Sequence, residues 1–303
     1  MISSLLAPGT RHGAEAMEGA AVRGRSLWDD ARRRLFRNRA AVAGMIVLGL
    51  LVLAALFGPP LIPFAYDHVD KADVWVGPLR HGHLLGTDAL GRDLLARLLV
   101  GLRVSLAIGL VATLVSLLIG VAWGSIAGYA GGRVDEGMMR IVDVLYSLPF
   151  IFFVILLMVA FGSNILLIFV AIGAVEWLTM SRIVRGQTLA LKQKEFVEAA
   201  RAAGLAQTAI IVRHIVPNLL GPVVVYVTLT IPAVILAESF LSFLGLGVQP
   251  PMASLGTLIA AGAQDMELAP WLLVFPSLVM VVTLMSFNFI GDGLRDAIDP
   301  KDR

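Results

Sequence analysis

Cysteine is missing from the 303-residue chain, which excludes disulfides, thiolate metal sites and a cysteine nucleophile. Charge is also scarce, because Asp, Glu, Lys and Arg together make up 15% of the residues, against 58% apolar ones. A soluble domain is rarely so apolar, and the mean hydropathy of +0.84 indicates that lipid surrounds most of the chain. The formal net charge of +2 gives no indication of a nucleic-acid partner.

Signatures of nucleotide binding and of hydrolysis are missing too. The chain has no Gly-x-x-x-x-Gly-Lys-Ser/Thr loop and no Gly-Lys pair, so it lacks the usual device for holding ATP. His-Glu-x-x-His and Gly-x-Ser-x-Gly do not occur, which argues against a membrane enzyme. No convincing internal repeat supports a secondary transporter, the other class we consider.

Long apolar runs are what the chain does have. A membrane-spanning helix needs about 20 mostly apolar residues. The runs that meet this requirement lie at approximately 40–58, 104–129, 141–161, 164–182, 219–239 and 271–290. We therefore predict an all-α, polytopic membrane protein with six transmembrane helices. Glycines and a serine recur along the second run, which predicts that this helix packs closely against protein. The tripeptide Gly162–Asn164 predicts a tight hairpin between the third and fourth runs.

The distribution of Lys and Arg predicts the orientation, because cytoplasmic loops carry an excess of both. Basic residues crowd the tail before the first run and recur between runs two and three and between runs four and five, whereas 240–270 contains none. Segment 59–103 partly breaks the pattern, although its basic residues are matched by aspartates. We therefore predict a multi-pass protein of the cell inner membrane with both termini in the cytoplasm.

This orientation divides the chain into segments. Residues 1–25 are predicted to be a disordered cytoplasmic tail, and residues 26–39 an interfacial cytoplasmic helix capped by Ser26. The remainder, 40–303, is the transmembrane domain. Within it we predict an outer loop at 59–103, a cytoplasmic loop at 186–217 and a second outer loop at 240–270.

The cytoplasmic loop is the most informative segment, because it is charged, rich in helix formers and placed between two spans. Residues 186–203 favour a helix, and Gly204 stands where a helix usually ends in a left-handed turn. A second short helix is predicted at about 206–214, with Pro217 breaking it before the fifth span. One face of the first helix carries Phe196, Ala199, Ala200 and Ala203.

Spacing alone leaves two interpretations of this face. It could pack against the protein's own cytoplasmic helix ends, as most amphipathic helices do. Alternatively, it is a docking surface for a separate cytoplasmic subunit, since small side chains allow close approach of another backbone and long ordered loops are usually functional.

The same residues carry a family resemblance. The run EAARAAG, followed by nine residues and HIVP, resembles the EAA signature of ABC-transporter permease subunits. His214 and Val216 stand where that signature prefers Ile and Leu. The matching positions are Glu198, Ala199, Ala200, Gly204 and Pro217.

Four other segments resemble the dipeptide/oligopeptide branch of that family: His83–Leu106, Gly131–Pro149, Glu238–Pro251 and Asn288–Pro300. The likeness covers nearly all of 27–303 in the right order. Within this branch, the chain is similar to the second permease of the peptide-type pair, which is the one with the longer N-terminus.

This resemblance implies a type I ABC importer permease fold and a set of partners. They are a second homologous permease, two cytoplasmic ATPase subunits that bind ATP and Mg, an extracytoplasmic binding protein and membrane lipid. The chain itself would be non-catalytic and bind no cofactor. By resemblance, 186–216 holds the coupling helices: Glu198 keeps the loop geometry, Ala199 and Ala200 make the close approach, and Gly204 makes the turn. Short peptides are the implied substrate, with nickel or another small solute as alternatives.

Carboxylates in or near the spans are candidates for the translocation pathway, because charge is costly in lipid. Asp143 is expected to pair with Arg140, which lies three residues before it on a helix. Glu176 lies deeper, and it either lines the pathway or is an interfacial carboxylate. Glu238, with Phe240 and Phe243, is placed at the outer mouth as either a gate or a scaffold.

The outer loop contains a His-x-His pair, His81 and His83, with Asp88 nearby. A metal site usually needs three or four ligands, so we expect these histidines to be solvated and predict no metal site. Thr87, Asp88 and Asp93 are interpreted as caps and turn formers that lead into the second span.

Overall fold

The computed structural model describes residues 27–161 and 165–298. Regular secondary structure in these ranges consists of helices, together with two isolated β-bridges in the first outer loop. The predicted tail at 1–25 and the predicted hairpin turn at Gly162–Asn164 lie outside the described residues.

Helices α1 to α11 follow in chain order, and α8 continues through a π-helical turn at Ile211–Ile215. The bounds are α1 Leu27–Arg37, α2 Arg39–Phe57, α3 Leu94–Ala130, α4 Gly132–Ser147, α5 Phe150–Phe161, α6 Ile165–Leu191, α7 Glu195–Ala202, α8 Gln207–Ile210, α9 Val216–Phe243, α10 Leu255–Gln264 and α11 Trp271–Ile298.

Among the described residues, four helical segments are long and apolar enough to cross a membrane: Arg39–Phe57, Leu94–Ala130, Gln207–Phe243 and Trp271–Ile298. The pair α4 and α5 makes a fifth if it is counted as one span, although its two halves are bent by 88°. The bend follows Leu148, whose backbone is extended because the residue before a proline is disfavoured in the helical region. The all-α membrane fold is confirmed, whereas the count of six stays a prediction.

Two boundaries differ from those expected from hydropathy. Helix α3 begins at Leu94, so the end of the predicted outer loop 59–103 is helical. The predicted helix 186–203 is divided, because α6 continues to Leu191 and a short turn separates it from α7. In both places a helix continues past its apolar run, since backbone hydrogen bonding does not stop where the apolar residues end.

Helix α3 packs along α6, as its glycine spacing predicts. A Cβ atom added to Gly120 would lie 2.6 Å from the Cβ of Met180, and one added to Gly128 would lie 2.8 Å from the Cβ of Thr188. Such distances leave no room for a larger residue, so these glycines permit the close approach of two helices.

Candidate functional site

The hairpin that the sequence predicts to be cytoplasmic consists of α7, a turn at Gly204, and α8 with its π-helical turn. Gly204 adopts φ +77°, which is the left-handed conformation that glycine tolerates best. Its N–H donates to the carbonyl of Arg201 at 3.0 Å, and the N–H of Leu205 donates to that of Ala200 at 3.2 Å. These two bonds form a Schellman motif, so the turn predicted at Gly204 is confirmed.

One face of the hairpin is buried against the ends of the spanning helices. Val197 is fully buried and Ala200 is 8% exposed. Both belong to an apolar cluster, named here the inner cluster. Its buried members are Tyr129, Met180, Val184, Val197, Ala200, Ile210, Ile215, Leu219 and Val223. Internal packing therefore holds this face, and Val197 is the contact that the sequence pattern did not identify.

The other face of the hairpin remains uncovered. Phe196 is 40% exposed, and Ala199 and Ala203 are exposed beside it. These three residues are named here the docking stripe. Glu198 is exposed as well, whereas Ala200 faces inward. The prediction that Phe196, Ala199, Ala200 and Ala203 share one face is therefore wrong for Ala200. This residue lies on the buried face of α7 together with Val197.

Tyr129, near the C-terminal end of α3, anchors the hairpin to the membrane domain. The Nζ of Lys192 lies 5.6 Å from the centre of its ring, and the guanidinium carbon of Arg201 lies 5.8 Å from it. Cation–π attraction at such distances holds the turn before α7 and the C-terminal end of α7 close to α3.

Pro217 does not break the helix, contrary to prediction. Val216 has helical backbone angles, and the chain from Gln207 to Phe243 forms one helical segment. The π-helical turn just before Val216 resets the hydrogen-bond register, so the N–H that Pro217 lacks falls in the first turn of α9. The hairpin is thereby joined to α9 without a flexible link.

Two ion pairs connect α4 to the C-terminal part of α6. Arg185 donates to both carboxylate oxygens of Asp135 at 2.6 Å, and Arg182 donates to Asp143 at 2.8 Å. The expected pairing of Asp143 with Arg140 is therefore wrong. The partner comes from the neighbouring helix, where an arginine can meet the carboxylate from across the contact.

Glu176 lies on α6 at an open cavity of about 460 Å³ that is lined by residues of α4, α5, α6 and α9. Its side chain is partly buried. The other lining residues are mostly apolar and include Leu148, Phe153 and Ala237. The position fits the pathway interpretation of this carboxylate, which stays a prediction.

Glu238 is fully buried and does not face an open mouth. Its Oε1 accepts hydrogen bonds from the hydroxyls of Ser242 at 2.6 Å and Ser254 at 2.7 Å. Its Oε2 accepts one from Ser105 at 3.4 Å. Glu238 thus connects α9 to α3 and to the N-cap of α10, an arrangement that favours the scaffold interpretation in this conformation.

Phe240 and Phe243 follow Glu238 on α9 but point elsewhere. They are 47% and 64% exposed, respectively. The structure therefore separates the two aromatic residues from the buried carboxylate beside which the sequence placed them.

The histidine pair of the outer loop is only partly solvated. His83 is 3% exposed, and its Nδ1 lies 2.7 Å from Asp93. The ring of Phe64 lies against it, with centroids 4.2 Å apart. The expectation of two solvated histidines is thus wrong for His83, because a distant aromatic residue covers it.

Carboxylates order the rest of this loop. Asp93 caps α3, since its Oδ1 accepts the N–H of Ala96 at 2.7 Å. His81, which is exposed, lies 2.5 Å from Asp73, and this hydrogen bond lowers the pKa of Asp73 below its ordinary value. The capping role expected of Asp93 is confirmed.

Comparisons with known proteins find sequence matches along nearly the whole chain. The family described as "Binding-protein-dependent transport system inner membrane component" matches residues 120–303. A second family, described as "N-terminal TM domain of oligopeptide transport permease C", matches residues 26–78.

Individual relatives are similar over almost their full length. The oligopeptide transport system permease protein OppC of Escherichia coli (strain K12) is 58% identical over 283 residues, which cover 93% of this chain and 94% of that protein. OppC of Haemophilus influenzae is 54% identical over 291 residues, covering 96% and 94%. The dipeptide transport system permease protein DppC of Bacillus subtilis is 45% identical over 279 residues, covering 92% and 87%.

A solved structure shares the fold. The chain is similar to one from the MetNI methionine ABC transporter in inward facing conformations, with a TM-score of 0.54 and 20% sequence identity. The match covers 67% of this chain and 96% of the other.

Proposed function

The chain belongs to the family of inner membrane components of binding-protein-dependent transport systems, and from this premise we propose that it imports short peptides. In this proposal it is the permease subunit through which a peptide crosses the membrane, after an extracytoplasmic binding protein has delivered it. The family suggested by the EAA-like loop is confirmed. The non-catalytic character of this subunit agrees with that family, whose ATPase activity lies in separate subunits.

Peptides are favoured as the substrate by the relatives. Proteins that are 54–58% identical over more than nine-tenths of this chain are named for oligopeptide transport. Nickel and other small solutes have no comparable support in the described residues.

The partners follow from the same proposal. They are a second permease, two ATPase subunits that hold ATP and Mg, the binding protein and the surrounding lipid. Both chain termini would lie in the cytoplasm, which places the hairpin on the same side as the ATPases.

The observation that carries the proposal is the exposed docking stripe on a hairpin whose opposite face is buried. The inner cluster fixes Val197 and Ala200, while Phe196, Ala199 and Ala203 face outward. A rigid element with one aromatic and two small residues exposed suits the cleft of another subunit, where the aromatic residue can act as an anchor.

The same element can transmit movement to the membrane domain. Because Gln207–Phe243 is one helical segment, a displacement of the hairpin by the ATPases would move α9 as a body. Rigid-body motion of this kind underlies alternating access in many transporters.

Co-purification of the assembled importer tests this docking role. Ala199→Leu places a branched side chain in the docking stripe and is expected to reduce the ATPase recovered with the chain at least tenfold. Ala261→Leu makes the same change at an exposed position of α10, on the opposite side of the membrane, and should leave ATPase recovery unchanged. Equal recovery with both variants would show that the stripe is not the docking surface.

Gly204 and Glu198 provide a second test of the same site. Gly204→Val should abolish ATP-driven uptake while the chain still inserts, because a β-branched residue opposes φ +77°. Gly204→Asn should retain much of the uptake, since asparagine tolerates this conformation. Glu198→Ala is expected to weaken ATPase association. Wild-type uptake by the valine variant would argue against a rigid turn, and wild-type ATPase recovery with Glu198→Ala would exclude that residue from the interface.

Uptake of labelled tri-alanine and of nickel by the reconstituted importer decides the substrate. Peptide accumulation that depends on ATP is the expected result. Accumulation of nickel alone would overturn the peptide assignment and leave the family unchanged.

A further inference from the structure

Glu176 is placed deep in the membrane domain. It lies eleven residues from the start of α6, or roughly 16 Å along a helix that rises 1.5 Å per residue. Helix α6 carries the span predicted at 164–182, and the apolar core of a bilayer is about 30 Å thick, so in that predicted span Glu176 lies near the middle. A carboxylate at such a depth is costly unless it faces a cavity or a partner, and it indicates a functional position.

The cavity beside Glu176 has the size of a small-molecule site. Its volume of about 460 Å³ lies within the range of ordinary ligand pockets. Leu148, Pro149 and Phe153, at the bend between α4 and α5, form one side, and Ala237 of α9 contributes to another. An apolar chamber with one acidic group on its wall suits a ligand that combines apolar parts with a positive charge.

No described residue donates a hydrogen bond to Glu176 or forms an ion pair with it. The nearby cationic groups of α6 are already engaged: Arg182 with Asp143 and with the ring of Tyr146, and Arg185 with Asp135. Glu238, the buried carboxylate of α9, accepts hydrogen bonds from three serine hydroxyls. The described part of the chain thus satisfies one of these two carboxylates and leaves Glu176 facing the cavity.

We propose that Glu176 and the surrounding cavity form a subsite within the membrane domain for an ammonium group of the passing peptide. The proposal rests on peptide import as the function of the chain. The carboxylate pairs with the ammonium group while the apolar walls contact neighbouring side chains of the peptide. A metal ion is a poorer fit, because it needs three or more ligands and the lining supplies one carboxylate.

Two sources of the ammonium group are distinguished by experiment. Every peptide with a free N-terminus carries one, and lysine side chains carry another. The complete importer, with its second permease, ATPases and binding protein, is reconstituted in vesicles, and uptake of tri-alanine and of Ala-Lys-Ala is measured at saturating binding protein. The variants are Glu176→Gln, Glu176→Asp and, as a matched control, Glu267→Gln, an exposed outer-loop carboxylate.

Glu176→Gln is expected to slow uptake about tenfold. Slowing of both peptides assigns the subsite to the α-amino group, and slowing of Ala-Lys-Ala alone assigns it to the lysine side chain. Glu176→Asp should restore uptake in part because it keeps the charge. ATPase activity without peptide and recovery of the second permease should match the wild type, since a structural role would alter both. Glu267→Gln should transport both peptides normally.

Three results would overturn the proposal in distinguishable ways. Wild-type uptake of both peptides by Glu176→Gln would show that the carboxylate contacts no cargo. Loss of the second permease from the purified variant would mean that Glu176 pairs with that subunit instead. If the wild-type importer takes up neither peptide, the proposed function itself is wrong, and the subsite falls with it.

Discussion

The hairpin and the helix ends around Glu238 and His83, named here the outer ends after their predicted orientation, are held in place by opposite means. At the outer ends, buried polar groups make the connections: Glu238 bonds to serines from α3 and α10, and His83 bonds to Asp93 beneath the ring of Phe64. At the hairpin, an apolar cluster holds one face, and Phe196 and Glu198 are exposed on the other.

This difference has a physical consequence. A buried, fully bonded carboxylate fixes one arrangement of helices, because any shift leaves polar atoms without partners. An apolar contact fixes position less strictly and leaves the other face of the hairpin free for a second protein. We therefore expect substitutions at the outer ends to lower stability, and substitutions on the docking stripe to lower association with little change in stability.

Glu238→Ala should give the largest loss of stability. It removes the closest acceptor of the Ser242 and Ser254 hydroxyls from a site with no exposed surface. We expect the free energy of unfolding to fall by about 3 kcal/mol, since buried polar groups are then left unpaired. Unfolding by SDS titration in detergent micelles measures the change.

Glu238→Gln is the milder companion of that variant, because an amide oxygen in the place of Oε1 still accepts from Ser242 and Ser254 and only the longer bond from Ser105 is lost. It should lose about 1 kcal/mol. A loss below 1 kcal/mol for Glu238→Ala would show that the serine network does not stabilise the outer ends, and the contrast with the hairpin would fail.

Val197→Ala should come next, because it weakens the apolar attachment of the hairpin. Val197 is fully buried, and removal of its two methyl groups is expected to cost about 2 kcal/mol through lost burial and the cavity left behind. Val212→Ala is the matched control, since Val212 is 65% exposed, and it should stay within about 0.5 kcal/mol of wild type. The same titration measures both, and equal losses would contradict the assignment of a buried face.

The features that the sequence predicts well are local ones. The Gly204 turn, the cap at Asp93 and the glycine contacts of α3 each depend on residues close together in the chain or on a regular spacing. The serine partners of Glu238 could not be predicted in this way, since Ser105 lies in α3 and Ser254 precedes α10. Their meeting depends on how three helices pack, and no pattern along a single helix reports it.

Two errors have the same physical origin. Pro217 was expected to end a helix, but a π-helical turn before it lets the helix continue. His83 was expected to be solvated, but Phe64, from an earlier part of the outer loop, covers it. Each expectation followed the residue's average behaviour, and each was overridden by a contact or register that only the folded chain contains.

His83→Ala should have a smaller, local effect at the outer end. It removes the hydrogen bond to Asp93 and the contact with Phe64, for an expected cost of about 1 kcal/mol. Hydrogen exchange at the start of α3, especially at the Ala96 amide that Asp93 caps, should become faster, whereas exchange in α7 should not change. Faster exchange at both ends would mean that the two regions are coupled rather than held independently.

Phe196→Ala should have the smallest effect on the free energy of unfolding and a clear effect on ATPase binding. The variant therefore separates docking from folding at a single residue. Because Phe196 is 40% exposed, its truncation is expected to alter the free energy of unfolding by less than about 0.5 kcal/mol. As an aromatic anchor in an interface it should nevertheless be worth about 2 kcal/mol of binding, or roughly thirtyfold in the affinity for the ATPase. Phe57→Ala, at an exposed position at the far end of α2, should affect neither quantity. If Phe196→Ala instead unfolds the hairpin, the residue belongs to the fold, and the two ends of the molecule are less different than their contacts indicate.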